Sequence, residues 1–245
     1  MANPRSFIDS AVPPHVTYVL HGGAASPVTI DVMREADGAV VASWAAGVVD
    51  PEAPQTASWD GLSAGRPARA GRYSFRVTAQ LPTAEAVTSQ AVAPIAGSVD
   101  DPASFVLLRH VFPVRGPHYY GEGPARFGGG RGHQGQDVFA TCGTPLVAAR
   151  GGRVEVRGFQ SAAGNYLIID GARTGIDYGY MHMRAPALVK PGERVRTGQP
   201  IGYVGDTGDA SACHLHMELW TPPGWYSGGA PYDPLPSLLS WDRTS

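Results

Sequence analysis

The stretch Ala212-Cys213-His214-Leu215-His216-Met217-Glu218-Leu219 sets two imidazoles one residue apart inside an apolar run. Side chains of an extended segment alternate faces, so His214 and His216 share one face while Leu215, Met217 and Leu219 share the other. A strand that turns the second set towards a core therefore offers two imidazoles to one site. Imidazole is the commonest metal ligand and the side chain that titrates near neutrality. The run Gly130-Arg131-Gly132-His133-Gln134-Gly135-Gln136-Asp137 carries the candidates for a third ligand. Four residues of straight strand span about 13 Å, too far for His133 and Asp137 to share an ion, and the glycines oppose a helix. A bend at Gly135 is expected to fold both side chains around one ion from a loop. Nitrogen ligands with one carboxylate suit zinc, and three protein ligands leave a fourth position for water, as in catalytic sites. The residues alone leave open which histidine of the pair completes the set.

These groups need elements to hold them. The chain has 245 residues, 43% apolar and 16% charged, enough for one large or two modest globular domains. With Gly 32 and Pro 22, many short strands are favoured over long helices. A net charge of −2 gives no footing for nucleic acid or an anionic membrane surface. No apolar run approaches the roughly 18 residues of a membrane span. Residues 1–20 show no basic stretch followed by an unbroken apolar core, so no secretory signal is visible. A mature or trimmed chain and export without such a signal both remain open.

An all-β chain is expected. Residues 1–14 read as an irregular lead. Over 15–81, His15 to His21, Val28 to Met33, Ala39 to Trp44 and Gly71 to Ala79 alternate as strands, with Glu35-Ala36-Asp37-Gly38 as a hairpin signal. This spacing suggests a small antiparallel sandwich. Residues 82–104, rich in Ala, Pro, Ser and Asp, read as a linker. Over 105–245 the pattern is again strand and turn, with no convincing amphipathic helix. A tail from Trp220 to Trp241, rich in Pro, Gly and aromatics, is expected to wrap the second domain. Val189 to Gly202 follows a pattern shared with lipoyl-type half-barrels. Lys190 stands at its entry rather than at a hairpin tip, so the run reads as structural.

Two resemblances add to this reading. Trp59-Asp60-Gly61 followed by Ala70 to Val77 is similar to the Ig-like module of flagellar hook-capping proteins and many bacterial surface proteins. It implies a binding or spacer domain with a protein or cell-wall partner. Gly132-His133-Gln134-Gly135-Gln136-Asp137, Tyr180-Met181-His182-Met183, Gly205-Asp206-Thr207-Gly208 and His214-Leu215-His216-Met217-Glu218 resemble, in order, the motifs of the M23 (LytM/lysostaphin-type) zinc metallopeptidases. That resemblance covers about residues 105–220. It implies one zinc ion on His133, Asp137 and His216, and catalytic roles for His182 and His214. It also implies an antiparallel sheet crossed by a groove, peptidoglycan as substrate, and an extracellular or envelope location. Ala212, Cys213, Met217 and Met183 depart from the family's usual residues at packing positions only.

A non-catalytic wall-binding or activator module is the main rival, and a zinc enzyme acting on another peptide is a second. Cys142 follows the His133–Asp137 run and Cys213 precedes His214. A disulfide between them would pin the two ligand-bearing segments, while free thiols or soft metal ligation are the alternatives. Tyr119, Tyr120 and Tyr166 are candidate groove walls, and His110 and His118 candidate spare ligands.

Overall fold

A computed structural model describes residues 5–7, 13–21, 25–79, 103–130 and 132–244, the first three by backbone alone. The chain divides into two compact units, Met1–Arg109 and His110–Ser245.

The first unit holds β1 (Arg5–Phe7), β2 (His15–Tyr18), β3 (Ser26–Arg34), β4 (Ala39–Val49), β5 (Gln55–Ser58), β6 (Leu62–Ser63), β7 (Arg66–Pro67), β8 (Gly71–Ala79) and β9 (Ser104–Leu108). Five strands form one sheet in the order β1-β9-β8-β3-β4, and β2–β5 and β6–β7 form two small pairs. The hairpin signal is a turn: the Gly38 N–H donates to the Arg34 carbonyl, and Gly38 has φ 68°. Val28, Ile30, Val32, Tyr73, Phe75, Phe105 and Leu107 fill the core from the large sheet, joined by Ala57 and Trp59. Two readings change. Arg5–Phe7 lies within the expected irregular lead yet is a strand, and it pairs parallel to β9, so the sheet is not purely antiparallel. Three residues are too few for periodicity to register. Most of the linker expected over 82–104 lies outside the described residues, and its last residue, Ser104, opens β9.

The second unit holds β10 (His118–Tyr120), β11 (Gln136–Ala140), β12 (Pro145–Val147), β13 (Gly152–Gln160), β14 (Gly164–Gly171), β15 (Asp177–Met183), β16 (Arg194–Val195), β17 (Pro200–Tyr203), β18 (His214–Trp220) and β19 (Pro231–Tyr232). An eight-stranded sheet runs β10-β11-β18-β15-β14-β13-β16, with β19 on the end of β18, and β12 pairs with β17. Every pairing in the large sheet is antiparallel. Strand β18 lies centrally between β11 and β15. It sends Leu215, Met217 and Leu219, all 0–1% exposed, into a core with Val138, Leu167, Ile169, Tyr178 and Tyr180. Burying such side chains stabilises by about 1.5–3 kcal/mol each, which fixes which face of β18 looks outward.

The tail is ordered and contains a helix the sequence reading did not expect, α1 (Leu235–Asp242). Asp233 Oδ1 accepts from the Leu235 N–H at 2.9 Å, and proline falls at the first turn, where a missing N–H costs nothing. Leu238 is fully buried and Trp241 packs on the same core. Two turns are too short to show a helical period. No helix among the described residues is long and apolar enough to cross a membrane.

Candidate functional site

Strands β11 and β18 pair with Asp137 opposite His216 and Phe139 opposite His214. Residues opposite each other on neighbouring strands share a face at short range, so register alone brings the carboxylate to the imidazole. The expected bend before Asp137 is present, but Asp137 is not on a loop: β11 begins at Gln136, and only His133 approaches from irregular chain. A Cβ at Gly135 would collide with the Met217 carbonyl and the His216 ring, so this turn can cross β18 only as glycine.

The donors converge on Asp137 Oδ1. His216 Nδ1 lies 2.9 Å away, His133 Nε2 3.1 Å and His214 Nε2 3.5 Å. One ligand atom from each of His133, Asp137 and His216 lies within 4.8 Å of the others, a group able to hold a metal ion.

Neighbouring acceptors fix the ring protons. A carbonyl oxygen only accepts, so an imidazole nitrogen bonded to one carries hydrogen. His133 Nδ1 donates to the Arg126 carbonyl at 2.9 Å and His214 Nδ1 to the Ala212 carbonyl at 2.8 Å. Their Nε2 atoms are left to the site. His216 is reversed: Nε2 meets Glu218 Oε1 at 3.1 Å, and Nδ1 faces Asp137. Two nitrogen lone pairs and a carboxylate aimed at one point repel unless a cation lies among them. This donor set therefore fits a divalent ion of the zinc type. Without a metal, a proton serves instead. Burial disfavours a charged His216, but hydrogen bonds to Asp137 and Glu218 outweigh it and push its pKa up to about 9. Burial likewise opposes the Asp137 charge, yet its close contacts with His133 and His216 hold that carboxyl well below the usual range.

His182 reaches the site by a slip in its strand. Tyr178, Tyr180 and Met183 belong to the core, and Met181 lies on the opposite face with Ile168 and Ala163. Strict alternation after Tyr178 and Tyr180 would send His182 inward. Instead His182 adopts φ 59°, and the β14–β15 register shifts between Asn165 and Leu167. The slip turns His182 to the outer face and returns Met183 to the core. Thr207 holds it there. Its carbonyl accepts from His182 Nδ1 at 2.8 Å, and its hydroxyl donates to the Met183 carbonyl at 2.7 Å while accepting from the Asn165 N–H at 2.9 Å. A Cβ at Gly205 would meet the Arg184 backbone, so the Gly205–Gly208 turn can lie this close only with glycine. His182 and His214 rings are 4.6 Å apart. Burial pushes the His182 pKa down to about 4, so this ring is neutral at neutral pH.

A cavity of about 500 Å³ opens over these groups and is also lined by Phe139, Met181, Glu218, Trp225 and Tyr226. Of the expected walls, Tyr119 stacks behind Phe139 at 5.1 Å, Tyr166 packs behind Trp225 at 5.4 Å, and Tyr120 bonds Asp242; none lines the cavity itself. The spare histidines do not join the site: His110 bonds the Tyr178 hydroxyl and His118 bonds Asp242. Sequence reading passed over Glu218, Phe139, Trp225 and Tyr226. Glu218 was visible as the third member of the outward set His214, His216, Glu218, whereas the aromatic walls come from loop and strand with no common period. Cys142 and Cys213 are joined as a disulfide, which ties the segment after β11 to the residue before His214.

Residues 131–234 match peptidase family M23. The chain is 43% identical over 89 residues to the peptidoglycan DD-endopeptidase ShyC of Vibrio cholerae, spanning 36% of this chain and 20% of that protein. It is 37% identical over 123 residues to the glycyl-glycine endopeptidase ALE-1 of Staphylococcus capitis, spanning 49% and 33%. It is 33% identical over 150 residues to the L-Ala–D-Glu endopeptidase of Bacillus subtilis, spanning 56% and 45%. The chain thus spans less than half the length of each of these relatives.

Proposed function

We propose, from residues 131–234 being an M23 peptidase domain, that this protein is a zinc-dependent endopeptidase that cuts peptide bonds in bacterial peptidoglycan. The observation that carries the reading is one cavity holding two distinct sets. His133, Asp137 and His216 would hold the metal; His182 and His214 line the same cavity without being needed as ligands. A bound zinc ion supplies Lewis acidity and an activated water at neutral pH. The chain supplies proton handling and orientation. His182 and His214 both spend their Nδ1 proton on a backbone carbonyl, so each offers Nε2 as an acceptor when neutral. The ring that takes the proton of the attacking water becomes the donor to the leaving amine. Phe139, Met181, Trp225 and Tyr226 wall the cavity.

The three relatives named above cleave three different bonds, so the reading extends to stem peptides and crossbridges and not to one linkage. An extracellular or cell-envelope location suits both the substrate and the Cys142–Cys213 disulfide. We further propose a two-domain organisation, with the first unit as a binding or spacer module for a protein or cell-wall partner and the second as the peptidase.

The test is metal analysis of the purified protein together with mass spectrometry of fragments released from defined peptidoglycan. One zinc per chain and new amino termini that disappear on chelation are expected. Zinc without any released fragment would instead identify the non-catalytic wall-binding or activator module.

A further inference from the structure

We infer that Glu218 is a positioning residue that serves the metal ligand His216 and the cavity wall at once; this rests on the zinc-peptidase reading above. Glu218 lies on β18 two residues beyond His216, on the same face, and is 4% exposed. Its carboxylate meets three donors. Oε1 takes His216 Nε2–H at 3.1 Å, and Oε2 takes the indole N–H of Trp220 at 2.7 Å and of Trp225 at 3.2 Å. Indole nitrogen can only donate, so both tryptophans require an acceptor at that point. A buried charge on Glu218 is matched by this full set of hydrogen bonds.

Two consequences follow. First, the Glu218–His216 bond holds the proton on Nε2 and leaves the Nδ1 lone pair towards Asp137, the only ring state in which His216 can bind a metal at that side. Second, Trp225 lines the cavity and packs on Tyr166, while its backbone N–H is held by Asp177 Oδ2 at 2.7 Å. Glu218 fixes the indole end of the same side chain. A groove wall and a metal ligand are thus oriented by two oxygens of one carboxylate.

An amide of equal shape cannot replace it. Glutamine has a single acceptor oxygen, which can serve either the indoles or the imidazole. If it turns to the indoles, its NH₂ faces His216 and favours the proton on Nδ1, where the metal must bind. Glu218→Gln is therefore expected to weaken zinc binding roughly 10- to 100-fold, read by chelator competition. Trp225→Phe removes one donor from the wall and none from His216. It is expected to keep zinc affinity within about twofold of wild type while raising KM for a peptidoglycan peptide more than it lowers kcat. In zinc-loaded wild-type protein, nuclear magnetic resonance is expected to show a slowly exchanging His216 Nε2–H, lost or fast-exchanging in Glu218→Gln. Unchanged zinc affinity in folded Glu218→Gln overturns the inference. So does a wild-type His216 with no protected Nε2–H, a measurement that needs no variant to fold. Wild-type protein that takes up no zinc overturns the peptidase reading together with this inference, whereas uptake that Glu218→Gln leaves intact overturns the inference alone.

Discussion

His214 and His216 differ in where each ring proton goes, and in the proposed reading that difference separates a proton-handling ring from a metal ligand. His214 gives its Nδ1 proton to the Ala212 carbonyl and presents Nε2; His216 gives its Nε2 proton to Glu218 and presents Nδ1 to Asp137. His214→Ala should therefore retain zinc while hydrolysis falls on the order of 10²- to 10⁴-fold, the usual worth of a positioned acid–base group. His216→Ala should lose both zinc and activity; stoichiometric zinc in that variant would refute the ligand assignment. The metal-free protein should also show a stability maximum near pH 6.5. His182 has a folded pKa of about 4, below its ordinary 6.5, so the unfolded chain binds more protons between those values and stability rises with pH there. His216 has a folded pKa of about 9, so its contribution is complete below 6.5 and is lost as pH rises through 9. The depressed Asp137 adds a further loss as pH falls through its folded value. Thermal unfolding in chelator across pH 4 to 9.5 tests this, and a flat profile would contradict it. Bound zinc should abolish the upper limb, because Nδ1 then carries no proton to lose.

At the scale of elements, the decisive feature is the slip in β15. The slip sets a histidine outward where the preceding tyrosines point inward, and the Gly205–Gly208 turn clamps it through Thr207. Thr207→Val keeps the shape but removes the bonds to the Met183 carbonyl and the Asn165 N–H. A loss of about 1–3 kcal/mol follows from leaving those groups unpaired. Turnover should fall more than stability predicts, because the Thr207 carbonyl that holds His182 loses the two hydroxyl bonds that anchor its turn, while zinc content stays at wild-type level. Equal activity in folded Thr207→Val would mean that the slip holds without its clamp. Strand existence was legible at this scale because apolar residues alternate in β8 and β18 and form a short continuous run in β14. The short strands β1, β6, β7, β10 and β19 were not, since two or three residues carry no period.

For the molecule as a whole, the covalent tie closes a loop of sequence separation 71. Chain entropy assigns such a link about 4 kcal/mol, so a Cys142→Ser, Cys213→Ser double variant should melt well below wild type in calorimetry yet still bind zinc. An unchanged melting temperature would show that the sheet pairing between β11 and β18 already supplies that restraint. The sequence by itself determined that the chain is built of strands, that His214 and His216 share a face, and that the chain must bend at Gly135 if His133 and Asp137 are to share an ion. Each of these depends only on neighbours in the chain, through the two-residue period of a strand or the freedom of glycine. Tertiary structure alone decided that Asp137 enters on a strand opposite His216, that His182 faces outward, and that Glu218 orients His216. Those outcomes depend on register between strands distant in sequence, on a backbone slip that local alternation argues against, and on which acceptor each imidazole proton finds.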